Sequence, residues 1–231
     1  MAEPSIFERA RFKYLPTLLR PFLPIRRRGD VEKLGTAYGG WMVPTSVLSA
    51  ESVCYCVGVG EDNSFDLALI DRFGCHVWAY DPTPRAIAHV GRTAAGNDHY
   101  HFAPVGLWSA DAVMRFYAPA KAKNVSHSLT NIQRTDQYIE VPVRSLATLM
   151  RDNGHARVDL LKIDIEGAEY DVLAEMMRLG VRPTVLCVDF DQPTPVRKTL
   201  AMIRRLREYG YELVAHEVWD YTFLAPPPPA G

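Results

Sequence analysis

The stretch SVCYCVGVGEDNSFDLALIDRF (Ser52–Phe73) decides the fold class. Its first eight residues, Ser52–Val59, are nearly all apolar, as expected of a strand that helices cover on both faces. Ser64–Phe73 then repeats apolar residues at helical spacing, so a turn with Gly58 and Gly60 joins a buried strand to a helix. We therefore predict a doubly wound α/β fold, in which such turns carry the ligand site.

Outside this stretch, strand and helix patterns keep alternating, which predicts a mostly parallel sheet with right-handed crossovers. The last two predicted strands, Tyr211–Val218 and Tyr221–Leu224, have no helix between them and must form a C-terminal antiparallel hairpin. Lys121–Gln137 is polar and lacks a clear period, so we predict a loop there. The other predicted strands are His76–Tyr80, His99–Val105, Met114–Tyr117, Val158–Ile163 and Thr184–Val188, and the other predicted helices are Thr83–Ala95, Ser145–Asn153, Ala168–Leu179 and Val196–Tyr209.

A length of 231 residues suits one large α/β domain better than two small ones. We assign residues 35–225 to this domain, residues 1–34 to a basic N-terminal arm with a short helix, and residues 226–231 to a proline-rich tail. No segment reaches the roughly 18 apolar residues of a membrane span. Prolines break any long helix in the arm, so we expect it to pack on the domain surface, with membrane contact as the less favoured alternative.

Charge and cysteine content restrict the class of partner and the compartment. The 26 basic and 27 acidic side chains give a formal net charge of −1, which argues against a nucleic-acid binder that relies on bulk charge. Cys54, Cys56, Cys75 and Cys187 follow no disulfide or zinc-site spacing, so we interpret them as buried free thiols. We therefore expect the protein to reside in a reducing compartment, the cytoplasm.

The turn after the first predicted strand reads Gly58-Val59-Gly60-Glu61-Asp62. Glycines there let the backbone approach a ligand closely. Dinucleotide-binding folds have a third glycine shortly after Gly60, which this chain lacks, and the adjacent carboxylates Glu61 and Asp62 would repel a pyrophosphate. They suit a ligand with positive charge, such as S-adenosylmethionine, and the alternative is that they only cap the following helix. We assign Gly58, Gly60 and Glu61 to cofactor binding.

Asp81 ends the second predicted strand, about 21 residues after Gly60. An acid at this place accepts hydrogen bonds from ribose hydroxyls, and capping of the next helix is the alternative role. Nicotinamide cofactors would use the same residue, so Asp81 indicates adenosine binding and leaves the reaction type open. Gly106, directly after the third predicted strand, completes the predicted cofactor-binding set.

Asp164 and Glu166 stand at the carboxyl end of the fourth predicted strand, beside the expected ligand crevice. At positions i and i+2 their side chains lie on the same side of an extended chain. Such an acid pair could hold an ammonium group, orient an acceptor or take its proton, and structural pairing with Lys162 is the alternative. We assign both acids to catalysis, and we expect Glu169 to be a charge in the first turn of the next helix.

His127, in the segment Asn124-Val125-Ser126-His127-Ser128, is the third predicted catalytic residue. A histidine that titrates near neutral pH can take a hydroxyl proton, although an ordinary polar loop fits the segment equally well. Tyr38 and Trp41 are predicted to close over the cofactor or acceptor, with packing against the arm as the alternative.

A magnesium site is a further alternative. Asp164 and Asp189 would be neighbours if their strands pair, with Asp191 and Gln192 nearby. Oxygen ligands suit Mg²⁺, but Asp189 can equally well just end its strand. The site that we predict contains no metal.

Three segments together resemble the FkbM-type methyltransferases: Gly58–Asp66, Asp81-Pro82-Thr83-Pro84-Arg85 and Leu160–Tyr170. The resemblance covers roughly residues 35 to 224 and implies a class I methyltransferase (Rossmann-like) fold with S-adenosylmethionine as methyl donor. It further implies methylation of a hydroxyl group, often on a sugar or polyketide. One residue departs from the wider pattern: Cys56 stands where many class I enzymes carry an acid.

The predicted function is therefore methyl transfer to a small-molecule hydroxyl by direct in-line displacement, in which the protein aligns the reactants and removes the proton. A nicotinamide-dependent oxidoreductase is one alternative, weakened by the missing third glycine. A non-catalytic module that binds S-adenosylmethionine or a partner chain is the other.

Overall fold

The computed structural model describes residues 15, 17–117, 138–165, 167–190 and 195–226. Among these residues, the helices α1 to α5 span Ser64–Phe73, Pro84–Thr93, Leu146–Asp152, Glu169–Arg178 and Val196–Glu208. The strands β1 to β12 span Val31–Leu34, Trp41–Pro44, Val53–Val57, His76–Tyr80, Tyr100–Ala103, Gly106–Leu107, Ala112–Tyr117, Tyr138–Arg144, Leu160–Ile163, Val185–Asp189, Glu212–Glu217 and Asp220–Leu224.

In this part of the chain, a seven-stranded sheet has the order β11-β12-β10-β9-β3-β4-β5. Strands β10, β9, β3, β4 and β5 are all parallel to one another. β12 pairs antiparallel with both β10 and β11, so the last two strands form the C-terminal hairpin that was predicted. The expectation of a doubly wound, mostly parallel sheet is confirmed.

Helices cover both faces of the sheet, which explains why its central strands are apolar throughout. On β3, Tyr55 and Val57 point into the core that α3, α4 and α5 close. Cys54 and Cys56 point into the opposite core, against α1 and α2. All four cysteines are buried free thiols, as predicted.

The structure contains a hairpin, β1–β2, that the sequence did not predict. The proposed boundary between residues 34 and 35 falls inside it. β2 packs across the C-terminal hairpin: Trp41 and Val43 are buried, and the Thr222 hydroxyl donates to the Met42 carbonyl at 2.6 Å. These contacts join residues some 180 positions apart, so no local periodicity reveals them.

A second feature that sequence reasoning missed is the three-stranded sheet β6-β8-β7. β8 was not predicted, whereas β7 extends the short segment expected at Met114–Tyr117. The predicted loop Lys121–Gln137 lies outside the described residues. Within the described part of the chain, no helix has the length and apolar character needed to cross a membrane.

Gly58 makes the closest backbone approach at the end of β3. Its φ is +83°, and a Cβ atom there would lie 1.7 Å from the Asp164 carbonyl oxygen at the end of β9. Gly60, two residues later, has a φ of +57°, and a Cβ atom on Gly60 would meet no atom within 4 Å. Only glycine therefore allows the two strand ends to meet at Gly58, whereas Gly60 needs only the left-handed conformation.

We predict that Gly58→Ala destabilises the protein several times more than Gly60→Ala. The left-handed conformation costs an alanine about 1 to 2 kcal/mol at either position, and only Gly58→Ala adds the clash with Asp164. Urea unfolding of both variants and the parent chain measures the difference. Equal losses in unfolding free energy would contradict the close approach of β3 and β9.

A cluster of aromatic rings lies on β4 and β5, beside α3. The rings of His76 and His99 stack at 4.3 Å, and His76 Nδ1 lies 2.9 Å from His101 Nε2. Trp78 stacks on His101 and meets His155 edge-on at 4.2 Å. The pKa of His101 is lowered mainly by burial and further by the imidazoles of His76 and His99. The pKa of His155 is lowered mainly by burial and further by His101.

We predict that this cluster weakens the fold in mild acid. A histidine whose pKa in the folded protein is below its unfolded value of about 6.5 makes its full contribution to the free energy of unfolding above pH 6.5. That contribution is lost as the pH falls through the folded pKa. His101→Gln should therefore lose less thermal stability than the parent chain between pH 8 and pH 5.5. His89→Gln, outside the cluster, is the matched control, and equal acid sensitivity of all three proteins would contradict the prediction.

Candidate functional site

A cavity of about 570 Å³ opens where the parallel strands end. The strands β3, β4, β9 and β10 contribute their carboxyl ends, and the antiparallel β12 contributes its first residue. Doubly wound folds bind their ligands at this edge. The cavity brings together every predicted site residue within the described part of the chain: Tyr38, Trp41, Gly58, Gly60, Glu61, Asp81, Gly106 and Asp164.

Asp81 is buried at the end of β4 and joins two turns of the cavity. One carboxylate oxygen accepts from the Gly60 N–H at 2.9 Å. The other accepts from the N–H and the hydroxyl of Thr83, at 2.8 and 2.7 Å. Thr83 in turn caps α2, so Asp81 itself is not the cap. The oxygen that accepts from Gly60 retains a lone pair, which leaves Asp81 able to accept a hydrogen bond from a ligand's hydroxyl.

The two carboxylates after Gly60 have different structural roles. Asp62 accepts from the Ser64 N–H at 2.9 Å and from the Thr36 hydroxyl at 2.6 Å, so it fixes the β1–β2 loop to the start of α1. Burial opposes the charge of Asp62, but these hydrogen bonds outweigh it and lower the pKa. Glu61 is half-exposed and lies 3.6 Å from Arg85. Together they keep negative charge at the turn where a pyrophosphate would bind.

Lys162 is buried in β9 beneath this turn. Its ammonium donates to the Gly58 carbonyl, lies 3.4 Å from a carboxylate oxygen of Asp164, and is 5.9 Å from the ring centre of Trp41. Burial lowers the pKa of Lys162, but the negative charges of Asp164 and Asp66 outweigh it, and the net shift is upward. The pairing with Lys162, which sequence reasoning held as the alternative for Asp164, is present.

Asp66 on α1 is an acidic residue of this region that sequence reasoning missed. It is buried among Cys56, Lys162 and Tyr100, whose hydroxyl donates to it at 2.9 Å. Burial raises the pKa of Asp66, and the charge of Lys162 opposes that rise. An acid from the helix therefore lies beside Cys56, the strand position where many class I enzymes carry their own. The sequence feature that could have revealed Asp66 is its position beside Phe65, on the apolar face of the predicted helix.

Glu169 holds the turn between β9 and α4. It is the first residue of α4, as expected, but it is fully buried and accepts from the Gly167 N–H at 3.0 Å. Burial raises its pKa to about 7, against the opposing effect of these backbone hydrogen bonds. Glu166, the residue directly before Gly167, lies outside the described residues, and so does His127.

Asp189 and Asp220 extend the acidic lining past Asp164. The parallel pairing of β9 and β10 makes Asp164 and Asp189 neighbours, and Asp220 on β12 lies directly opposite Asp189. Burial, followed by the charge of Asp164, raises the pKa of Asp220 to about 7. Among the described residues no group of three or more histidine, cysteine or acidic side chains is arranged to hold a metal ion. Asp191 and Gln192, the other magnesium candidates, lie outside that part of the chain.

Tyr38 and Trp41 line the cavity in different ways. Trp41 is buried and packs against Phe65 at 6.5 Å between ring centres, so it is a fixed wall. Tyr38 is 91% exposed in the β1–β2 loop, at the mouth of the cavity. The neighbouring Gly39 lies against Asp62, where a Cβ atom would be 2.6 Å from the carboxyl carbon. The loop therefore has a fixed base and an exposed aromatic side chain.

Methyltransferases are among the solved structures that are similar to this chain. The METTL16 MTase domain shares 10% identity over 96% of this chain and 84% of that one, with a TM-score of 0.44. Aeropyrum pernix fibrillarin in complex with natively bound S-adenosyl-L-methionine shares 10% identity over 87% and 84%, with a TM-score of 0.41. An rRNA methylase from Streptococcus thermophilus shares 9% identity over 77% and 87%, with a TM-score of 0.42.

Two curated proteins, both called "Probable methyltransferase-like protein 24", match part of the chain. The human protein is 28% identical over 124 residues, which are 53% of this chain and 27% of that protein. The rat protein is 25% identical over 123 residues, 53% of this chain and 28% of that one. The match thus spans about a quarter of either relative.

The model of the methyltransferase FkbM domain matches residues 53–213, well over half of the chain. The match runs from β3 into β11 and includes Gly58, Asp81 and Asp164. The resemblance inferred from the motifs is therefore confirmed, and the family decides against a nicotinamide-dependent oxidoreductase. This chain belongs to the FkbM methyltransferase family, with the class I, Rossmann-like fold and S-adenosylmethionine as its cofactor.

Proposed function

We propose that this chain methylates a hydroxyl oxygen of a small-molecule acceptor, such as a sugar or another natural product, by direct in-line displacement. The observation that carries the proposal is the single cavity in which Asp81 stands at one end and the acids Asp164, Asp189 and Asp220 stand at the other. The first end has the chemistry to hold a nucleoside, and the second has the chemistry to accept a proton.

The residues at the first end fit S-adenosylmethionine. Gly58 and Gly60 bring bare backbone to the cavity, Gly106 adds another wall without a side chain, and Asp81 offers an acceptor oxygen for a ribose hydroxyl. Glu61 supplies negative charge that complements the positively charged groups of the cofactor. When bound, the cofactor supplies an electrophilic methyl carbon with a sulfur leaving group.

The acceptor side favours a substrate without phosphate groups. Six acidic side chains line the cavity in the described part of the chain, and the basic residue there, Lys162, is already paired with Asp164. Such a lining repels the phosphates of a nucleic acid. For the proton we keep His127 and Glu166 as candidates, and Asp164 as the acid that orients the hydroxyl. Tyr38 would close over the reactants, and Trp41 would form a wall beside them.

We predict that Asp81→Asn weakens binding of S-adenosylmethionine and S-adenosylhomocysteine by about 10- to 100-fold, since it removes a charged acceptor of hydroxyl hydrogen bonds. Calorimetric titration measures the dissociation constants. Asp98→Asn, an exposed aspartate just before β5 at the opposite edge of the sheet, is the matched control and should bind like the parent chain. Unchanged affinity in Asp81→Asn, or tighter binding of NAD than of S-adenosylmethionine, would contradict the cofactor site.

We further predict that methyl-labelled S-adenosylmethionine labels a hydroxyl compound in a panel of sugars, phenols, amines and RNA. His127→Ala and Glu166→Gln test the acceptor side with whichever compound is labelled. At least one of the two should lower turnover by 100-fold or more if it removes the proton. Label in RNA alone would contradict the small-molecule acceptor, and full turnover in both variants would remove both residues from the proton step.

A further inference from the structure

We infer that Asp220, at the start of β12, is an additional catalytic residue and that it, rather than His127 or Glu166, takes the proton from the acceptor hydroxyl. The inference rests on the proposed function. Asp220 carries no motif in the sequence, where it reads as part of a tight connection between the last two strands. The structure places it in the wall of the cavity, in the sequence-distant C-terminal hairpin.

The sheet order puts Asp220 at the acceptor end of the cavity. From β4, which ends at Asp81, the order runs through β3, β9 and β10 to β12. Four steps of about 4.8 Å separate the two carboxylates by roughly 19 Å across the sheet. If Asp81 holds the ribose, the methionine portion lies over β3 and β9, and the space beside Asp220 is left for the acceptor.

The turn before Asp220 contains a strained residue. Glu217 pairs directly with Asp220, so Val218 and Trp219 form a two-residue turn. Val218 has a φ of +55°, the one positive value outside glycine among the described residues, and its side chain is half-exposed. A β-branched residue adopts this conformation only at a cost, and such outliers concentrate at functional sites. The pairing of Asp220 with Asp189 on β10 and Glu217 on β11 holds it at the cavity wall, directly after this strained turn.

The surrounding charges suit a proton acceptor. Asp164 and Lys162 face Asp220 from β9, Asp189 from β10, Glu217 from β11 and Lys33 from β1. Burial and the charge of Asp164 raise the pKa of Asp220 to about 7, while Lys162 opposes that rise. A general base works best when its pKa is close to the working pH. Asp164, paired with Lys162, is less suited to the same task.

The chemical step balances without an added reactant. The acceptor O–H bond breaks, and its proton moves to a carboxylate oxygen of Asp220. The oxygen keeps the electron pair and forms the new bond to the methyl carbon, and the pair of the broken carbon–sulfur bond stays on sulfur. Asp220 then releases the proton to water.

Carboxyl ¹³C NMR of the full chain tests the inference without any acceptor. The signal that disappears in Asp220→Asn belongs to Asp220, and we expect its titration midpoint near pH 7. In Asp164→Asn the midpoint should move down, because a neighbouring negative charge is removed. A midpoint near the ordinary aspartate value of about 4 would overturn the inference.

Binding of S-adenosylhomocysteine to the same variant separates this inference from the cofactor site. Asp220→Asn should bind it within twofold of the parent chain, which also shows that the variant is folded. A loss of tenfold or more would place Asp220 on the cofactor side and overturn the inference. If Asp81→Asn loses binding and Asp220→Asn does not, the result supports the cofactor site and leaves Asp220 on the acceptor side.

The pH dependence of turnover, with the panel compound that is labelled, completes the test. Asp220→Asn should lower kcat at least 100-fold, leave the KM for S-adenosylmethionine unchanged and abolish the acid limb near pH 7. Asp98→Asn should keep the kcat, the KM and the acid limb of the parent chain. A limb that persists in Asp220→Asn, or disappears in His127→Ala, would assign the proton to another residue and overturn the inference. If no panel compound is methylated, the proposed function fails and this inference fails with it.

Discussion

The site depends on the contacts that the buried ammonium group of Lys162 makes. This group joins the Gly58 carbonyl at the end of β3 to the Asp164 carboxylate at the end of β9, and Asp66 on α1 lies on its other side. Breaking a buried pair by removing one partner typically costs about 3 to 5 kcal/mol, because the remaining charge is left uncompensated. Lys162 therefore holds the two central strand ends and the first helix in one arrangement.

That arrangement decides what each neighbouring residue can do. With β3 and β9 in contact at Gly58, the turn that follows presents the Gly60 N–H to Asp81, and Asp62 fixes the β1–β2 loop over the cavity. Because Lys162 is already paired with Asp164, its positive charge offsets the acids on β10 and β12 only in part. The result is a cavity with a nucleoside-binding end and an acidic end.

The central part of the fold was predictable because it rests on local patterns. Apolar strands, helices at regular spacing and the turn at Gly58 and Gly60 are all visible over short stretches of sequence. The β1–β2 hairpin and β8 were missed, since long-range packing stabilises them and their local pattern is weak. Asp81 and Asp164 follow strands, where ligand chemistry is expected, but Asp66 and Asp220 reach the site only through tertiary pairing. His127 and Glu166 remain predictions.

The most direct test of the central claim is a crystal structure of the chain with bound S-adenosylhomocysteine. The account predicts the ribose on Asp81 and the amino-acid portion over Gly58, with open space between Asp164 and Asp220. A ligand bound elsewhere, or one whose ribose lies away from Asp81, would contradict the assignment of the two ends of the cavity.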